Sequence, residues 1–126
     1  RVKLKYLEDI TAHKRKLAEI YFDNLPNWLK LPMRNKDELD VFHIYPVRHK
    51  RRDELRSYLL KNGVKTEIHY PLPPHKQKAM EGILWGSWPI AEIHHKTELS
   101  LPISYGNTPE EIQKICQILK NQQEFS

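Results

Sequence analysis

Pro71, Pro73 and Pro74 stand within four positions of the segment His69-Tyr70-Pro71-Leu72-Pro73-Pro74-His75. Each proline removes a backbone donor and fixes φ, so this segment is neither helix nor central strand. It is a stiff, irregular connection leaving the end of a strand. It presents two imidazoles and a phenol where the ligand sites of α/β proteins gather, and a stiff loop costs little entropy to order. A rigid connection with no ligand accounts for the same residues, so residue chemistry alone leaves both readings open.

The flanking sequence supplies the regular elements. Leu4, Leu7, Ile10, Leu17 and Tyr21 recur at multiples of three and four, which predicts an amphipathic helix of about six turns ending before Pro26. Residues 24–38 read as a long connection with a short extended piece around 29–32. Val41-Phe42-His43-Ile44-Tyr45 reads as a strand covered on both faces, and Pro46 favours an edge or a bulge. Residues 51–62 predict a second helix with Leu55, Tyr58 and Leu59 on one face, closed by Gly63. Val64–Ile68 is a second short strand. Residues 76–87 are loop and turn, 89–96 a short helix, and Leu99 and Leu101 alternate in a third strand. Thr108-Pro109-Glu110-Glu111 starts a last helix with a capping box, and Ile112, Ile115, Cys116 and Leu119 form its apolar face. The order predicts an α/β (α+β) layer, a small sheet of about three strands flanked by helices. At 126 residues, positions 1–126 form one domain.

Several functions are excluded. Lys plus Arg number 21 against 16 acidic residues, giving +5, and hydrophobic residues are 39%, a balance of a folded chain and not a disordered one. No apolar run approaches the ~18 residues of a membrane span. Residues 1–16 alternate apolar and charged, unlike a signal peptide. The single Cys116 rules out an internal disulfide or a Cys-rich zinc site and makes a reducing, cytoplasmic setting the default. The seven histidines lack metal spacing: His94 and His95 are adjacent, and His69 and His75 are separated by the Pro-rich loop, so no metal is expected. No phosphate-cradling glycine loop and no nucleophile elbow occurs. Arg48, Lys50, Arg51, Arg52 and Arg56 form one basic cluster and residues 1–16 another, but Asp53, Glu54, Glu8 and Asp9 interleave as on solvated helix faces. Nucleic acid is therefore not expected, while phosphates of a small ligand stay open. Cys116 reads as a buried structural thiol and His43 as a core histidine. Trp28, Trp85 and Trp88 read as packing residues, the last two alternatively as a pocket or subunit contact. The chain opens on Arg1-Val2-Lys3-Leu4, inside a helical pattern without Met or a cap, and reads as part of something longer.

Specific stretches go further. Val2-Lys3-Leu4-Lys5-Tyr6-Leu7, Val41–Tyr45, Arg52-Asp53-Glu54-Leu55, Tyr58-Leu59 with Asn62-Gly63-Val64, Ile68-His69-Tyr70-Pro71, Pro89-Ile90-Ala91-Glu92 and Leu99-Ser100-Leu101-Pro102 follow one another in order. Together they resemble the C-terminal small domain of the DegT/DnrJ/EryC1/StrS family, fold-type-I pyridoxal-phosphate-dependent aminotransferases acting on nucleotide-linked keto-sugars. The stretch His69–Gln77 resembles the branch that aminates thymidine-diphosphate 3-keto-6-deoxyhexoses. Pro46 and the basic run Lys50–Arg52 depart from the usual pattern. The resemblance implies that residues 1–24 are a helix linking to a large domain. That domain would hold the Schiff-base lysine, the aspartate on the pyridine nitrogen and most cofactor phosphate ligands. None has a counterpart here, so no catalytic residue, no cofactor and no activity are expected of this fragment alone. The implied full-length protein binds pyridoxal phosphate, takes its amino group from glutamate, works as a homodimer and aminates a keto-deoxysugar nucleotide for polysaccharide or antigen biosynthesis. Substrate-binding residues on this domain would be His69, Tyr70 and His75. The alternative is a small basic α/β binding module for nucleic acid or protein.

Overall fold

A computed structural model describes residues 1–35, 37–122, 124 and 125. A 3₁₀ turn at Lys3–Tyr6 leads into α1 (Leu7–Asn24). Then come β1 (Tyr45–Arg48), α2 (Arg52–Lys61), 3₁₀ turns at Pro74–Lys76 and Lys78–Met80, α3 (Pro89–Thr97), β2 (Glu98–Leu101) and α4 (Pro109–Lys120). The four helices are the expected ones to within a few residues.

The sheet departs from expectation. It has two antiparallel strands instead of about three, with Tyr45 opposite Leu101, Val47 opposite Leu99 and Arg48 opposite Glu98. The stretch Val64–Ile68 contributes a single bridge, Glu67 with Ser100, through bonds of 3.2 and 2.8 Å. The chain turns off immediately afterwards into the Pro-rich segment, which has few donors with which to continue a ladder. Lys30 makes a similar single bridge to Arg48 on the other edge.

The first strand also begins four residues later than its apolar run suggests. Phe42 has φ 46°, a left-handed conformation that breaks the extended run. His43 lies outside the strand and is exposed, so it is not a core histidine; its carbonyl accepts from the Lys14 ammonium. Pro46 sits inside the strand without loss. Its partner Ser100 directs its own N–H and C=O to Glu67, so the Pro46–Ser100 pair needs no ladder bond. The missing donor of Pro46 faces the outer edge.

The core joins Leu17 and Tyr21 of α1, Tyr45 and Val47 of β1, Leu55 and Leu59 of α2, Leu99 of β2, and Ile112 and Leu119 of α4, all fully buried. Tyr21 and Tyr45 rings lie 4.7 Å apart, and the Tyr21 hydroxyl donates to the Pro102 carbonyl. Cys116 is buried beside them, and that burial pushes its thiol up to about 11. Gly63 takes φ 78° after α2, as a left-handed closing residue does, and the Val64 N–H returns to the Leu59 carbonyl. Thr108 and Glu111 form the capping box of α4.

Candidate functional site

The Pro-rich segment leaves the Glu67 bridge and crosses the end of β2, which brings His69 over two buried polar residues. The His69 N–H donates to Glu98 Oε2 at 2.9 Å, and its ring Nδ1 lies 2.9 Å from Ser100 Oγ. The Ser100 hydroxyl donates to Glu98 Oε1 at 2.5 Å. Glu98 and Ser100 are 8% and 5% exposed and stand two apart on β2, on one face of the strand. Arg52, also buried, donates from Nη1 to the carbonyls of Glu98 and His95 and from Nε to Asp53. The guanidinium thus locks the start of α2 to β2 and to the end of α3.

The three residues expected to bind substrate fall into two groups. His69 and Tyr70 stand together, their rings 5.5 Å apart edge to face across a cis peptide bond. Tyr70 is exposed, and its carbonyl accepts from His95 Nδ1. His75 is drawn elsewhere. Its side chain is 8% exposed, with Nε2 3.2 Å from Glu92 and the ring 4.7 Å from that of Trp88. Lys76 donates to the other Glu92 oxygen at 2.6 Å. The Lys76 ammonium first, and then His75, holds the Glu92 carboxyl below the usual carboxylate range. These contacts fasten the Pro-rich loop to α3, and a groove of about 530 Å³ runs between them, with Arg52, Pro73, Lys76, Glu92, His95 and Lys96 on its walls.

The basic cluster is divided as well. Arg51 is spent on Glu54 and Glu124, Arg52 is interior, and Lys76 is held by Glu92. Arg48 and Lys50 lie with Lys30 and Trp28 around a different hollow, on the other side of α3. Trp85 is 80% exposed and is no packing residue, while Trp88 packs on His75. Sequence reasoning passed over Glu98, Ser100 and Glu92 as chemistry. The available signal was two polar residues alternating with Leu99 and Leu101 in a strand buried on both faces, where each polar group needs a partner.

The profile of the DegT/DnrJ/EryC1/StrS aminotransferase family matches residues 1–120. The dTDP-3-amino-3,6-dideoxy-alpha-D-galactopyranose transaminase of Aneurinibacillus thermoaerophilus is 38% identical over 117 residues, covering 92% of this chain and 32% of that protein. The dTDP-3-amino-3,4,6-trideoxy-alpha-D-glucose transaminase of Streptomyces venezuelae is 38% identical over 107 residues, covering 82% of this chain and 28% of that protein. The crystal structure of S. venezuelae DesV in complex with a ketimine intermediate superposes with a TM-score of 0.90 at 33% identity, over 96% of this chain and 34% of that one. The chain thus spans about a third of the length of the curated relatives it matches.

The resemblance makes pyridoxal phosphate the cofactor to test against these residues. A Schiff-base lysine must be desolvated in a pocket to be a nucleophile near neutral pH. Among the described residues every lysine is exposed except Lys14, which is half-buried on α1 and donates to the His43 carbonyl. None fits that role. No group of three His, Cys, Asp or Glu is placed to hold a metal ion among the described residues, and no described helix is long and apolar enough to cross a membrane.

Proposed function

The chain belongs to the DegT/DnrJ/EryC1/StrS aminotransferase family, and we propose from this that it forms the substrate-side wall of a pyridoxal-phosphate-dependent enzyme that aminates a nucleotide-linked keto-deoxysugar at carbon 3, with glutamate as donor. The cofactor supplies the electron sink of transamination and is held by residues outside this chain. What the chain contributes is orientation. His69 and Tyr70 contact the sugar, held by a stiff loop at a strand end, while His75 fastens that loop to α3 through Glu92. The carbon 3 assignment rests on the stretch His69–Gln77 and on the two relatives whose names specify 3-amino products. The homodimer implied by the resemblance completes the reading, and a cytoplasmic setting suits substrates of this class. The family match over residues 1–120 leaves a basic nucleic-acid or protein module without support.

The observation that carries the proposal is a half-buried imidazole beside the exposed Tyr70, held from behind by Glu98 and Ser100. The test gives the full-length enzyme 3-keto and 4-keto deoxysugar nucleotides with glutamate, in the native form and as His69→Ala. The native enzyme is expected to aminate the 3-keto sugar, and the variant to show about a tenfold higher KM for it, the loss of one good hydrogen bond. The cofactor's absorbance spectrum should not change. Exclusive use of the 4-keto sugar refutes the position; loss of cofactor with unchanged sugar kinetics refutes the role of His69.

A further inference from the structure

The hydrogen bonds behind His69 carry a direction. Glu98 Oε2 receives the His69 backbone N–H, a donor that cannot be reversed. Its other oxygen receives the Ser100 hydroxyl. A hydroxyl has one proton, so once Ser100 has donated to the carboxylate its oxygen only accepts. The group 2.9 Å away on its open side is His69 Nδ1. Nδ1 must therefore carry a proton, and in the neutral ring Nε2 is bare. Glu98 and Ser100 are buried in β2, which leaves no solvent to reorient the hydroxyl. Among the described residues Nε2 has no hydrogen-bond partner.

We propose that Glu98 and Ser100 are positioning residues that fix the tautomer of His69, so that its Nε2 is a hydrogen-bond acceptor selecting a sugar hydroxyl, and not a donor to a sugar carbonyl or ether oxygen. The proposal rests on the function proposed above for the choice of ligand, but its first half concerns this chain alone. It makes the pair a determinant of specificity without contact to the substrate. A hydroxyl facing Nε2 is favoured. The same position oxidised to a ketone or methylated presents only lone pairs to a lone pair and is rejected, because a polar group is then desolvated without a partner.

The arrangement predicts its own inversion. In Glu98→Gln the new side chain is nearly isosteric, but one of its two ends is an amide NH₂. The fixed His69 N–H still demands an oxygen at the Oε2 position, so the NH₂ faces Ser100 and donates to Oγ. The hydroxyl then turns its proton to Nδ1, and the ring proton moves to Nε2. One substitution, two hydrogen bonds from the imidazole and three from the substrate, changes the outward nitrogen from acceptor to donor.

The experiment uses the full-length enzyme labelled with ¹⁵N-histidine, with the His69 resonances identified by their loss in His69→Ala. Two-bond ¹⁵N–¹H correlations separate the tautomers above the imidazole's titration range. The native protein is expected to show a protonated Nδ1 and a bare Nε2, and Glu98→Gln the reverse. In kinetics, Glu98→Gln should raise KM for the sugar nucleotide about tenfold and leave the cofactor spectrum unchanged, whereas Ser100→Thr in the otherwise native protein, which keeps the hydroxyl, should retain the native tautomer pattern. A protonated Nε2 in the native protein overturns the proposal and needs no variant to fold. So does an unchanged tautomer in Glu98→Gln, or a reversed tautomer with native KM. If the tautomers behave as expected but the native enzyme turns over no nucleotide-linked keto-sugar, the relay stands and the proposed function fails.

Discussion

Arg51 and Arg52 are neighbours in sequence with opposite energetic roles. Arg52 is buried and satisfies the Glu98 carbonyl, which faces the edge that the chain abandons at His69, and the His95 carbonyl at the end of α3. Truncating it leaves those acceptors unpaired, at about 1–3 kcal/mol for each that is truly buried. Arg51 is 39% exposed and pairs with carboxylates that are more exposed still. Water screens such pairs, so they contribute little to stability. Urea unfolding should therefore show Arg52→Ala less stable by about 2–4 kcal/mol at unchanged slope, and Arg51→Ala much closer to the native chain. Arg52→Lys should recover only part of the loss, because a point charge does not span two carbonyls as the planar fork does. Equal losses at the two positions would contradict the assignment of Arg52 as the tie between α2, α3 and β2.

In α4 a local signal was enough to fix both start and face. Thr108 accepts from the Glu111 N–H, the Glu111 carboxylate accepts from the Thr108 N–H, and the apolar stripe from Ile112 to Leu119 is buried. Helices were legible for this reason: their period, caps and prolines lie within a few residues of one another. The strands were not. Where β1 starts depends on the left-handed Phe42, and whether Val64–Ile68 pairs once or fully depends on how the Pro-rich segment turns off, neither of which a propensity carries. In the site, His69 and Tyr70 were legible as an anomaly of composition. Glu98 and Ser100 were not, because their role exists only through contact with a residue 29 or more positions away. The capping box also yields a pH dependence. The Thr108 N–H first, and then the Asn107 side chain, holds the Glu111 carboxyl below its ordinary value of 4.5. A carboxyl lowered by folding stabilises the fold above the unfolded value, and that contribution is lost as pH falls through the lower, folded value. Glu111→Gln should thus be less stable than the native chain at pH 7, with the difference closing as the pH is taken below 4.5. Stability curves that stay parallel from pH 7 to acid would refute a role for the charge.

The packed body ends before the apolar stripe of α1 does. Leu17 and Tyr21 are fully buried, yet Leu4 and Leu7, in the same repeat, are 70% and 53% exposed, and Val2 and Tyr6 are bare beside them. The stripe therefore runs off the body into solvent at its N-terminal end. A second apolar area lies on the loop before α3 and on α3 itself, through Ile83, Trp85 and Ile90. Burying one leucine or isoleucine contributes about 1.5–3 kcal/mol, so a few such side chains suffice to drive association. The bare stripe on α1 offers an apolar surface on which a partner surface can pack. The 126-residue chain by itself should show a mass that rises with concentration in sedimentation equilibrium. Replacing Leu4 and Leu7 together by lysine should lower that mass without loss of helix, because neither side chain is in the core. Amide exchange should report the same division: fast over residues 1–10, where the backbone has no packed neighbour, and slow in Tyr45–Arg48, which is paired on both edges at Arg48 and lies in the core. Strictly monomeric sedimentation with slow exchange over residues 1–10 would show instead that the first helix is complete without a covering surface, and the reading of its stripe as an interface would fall.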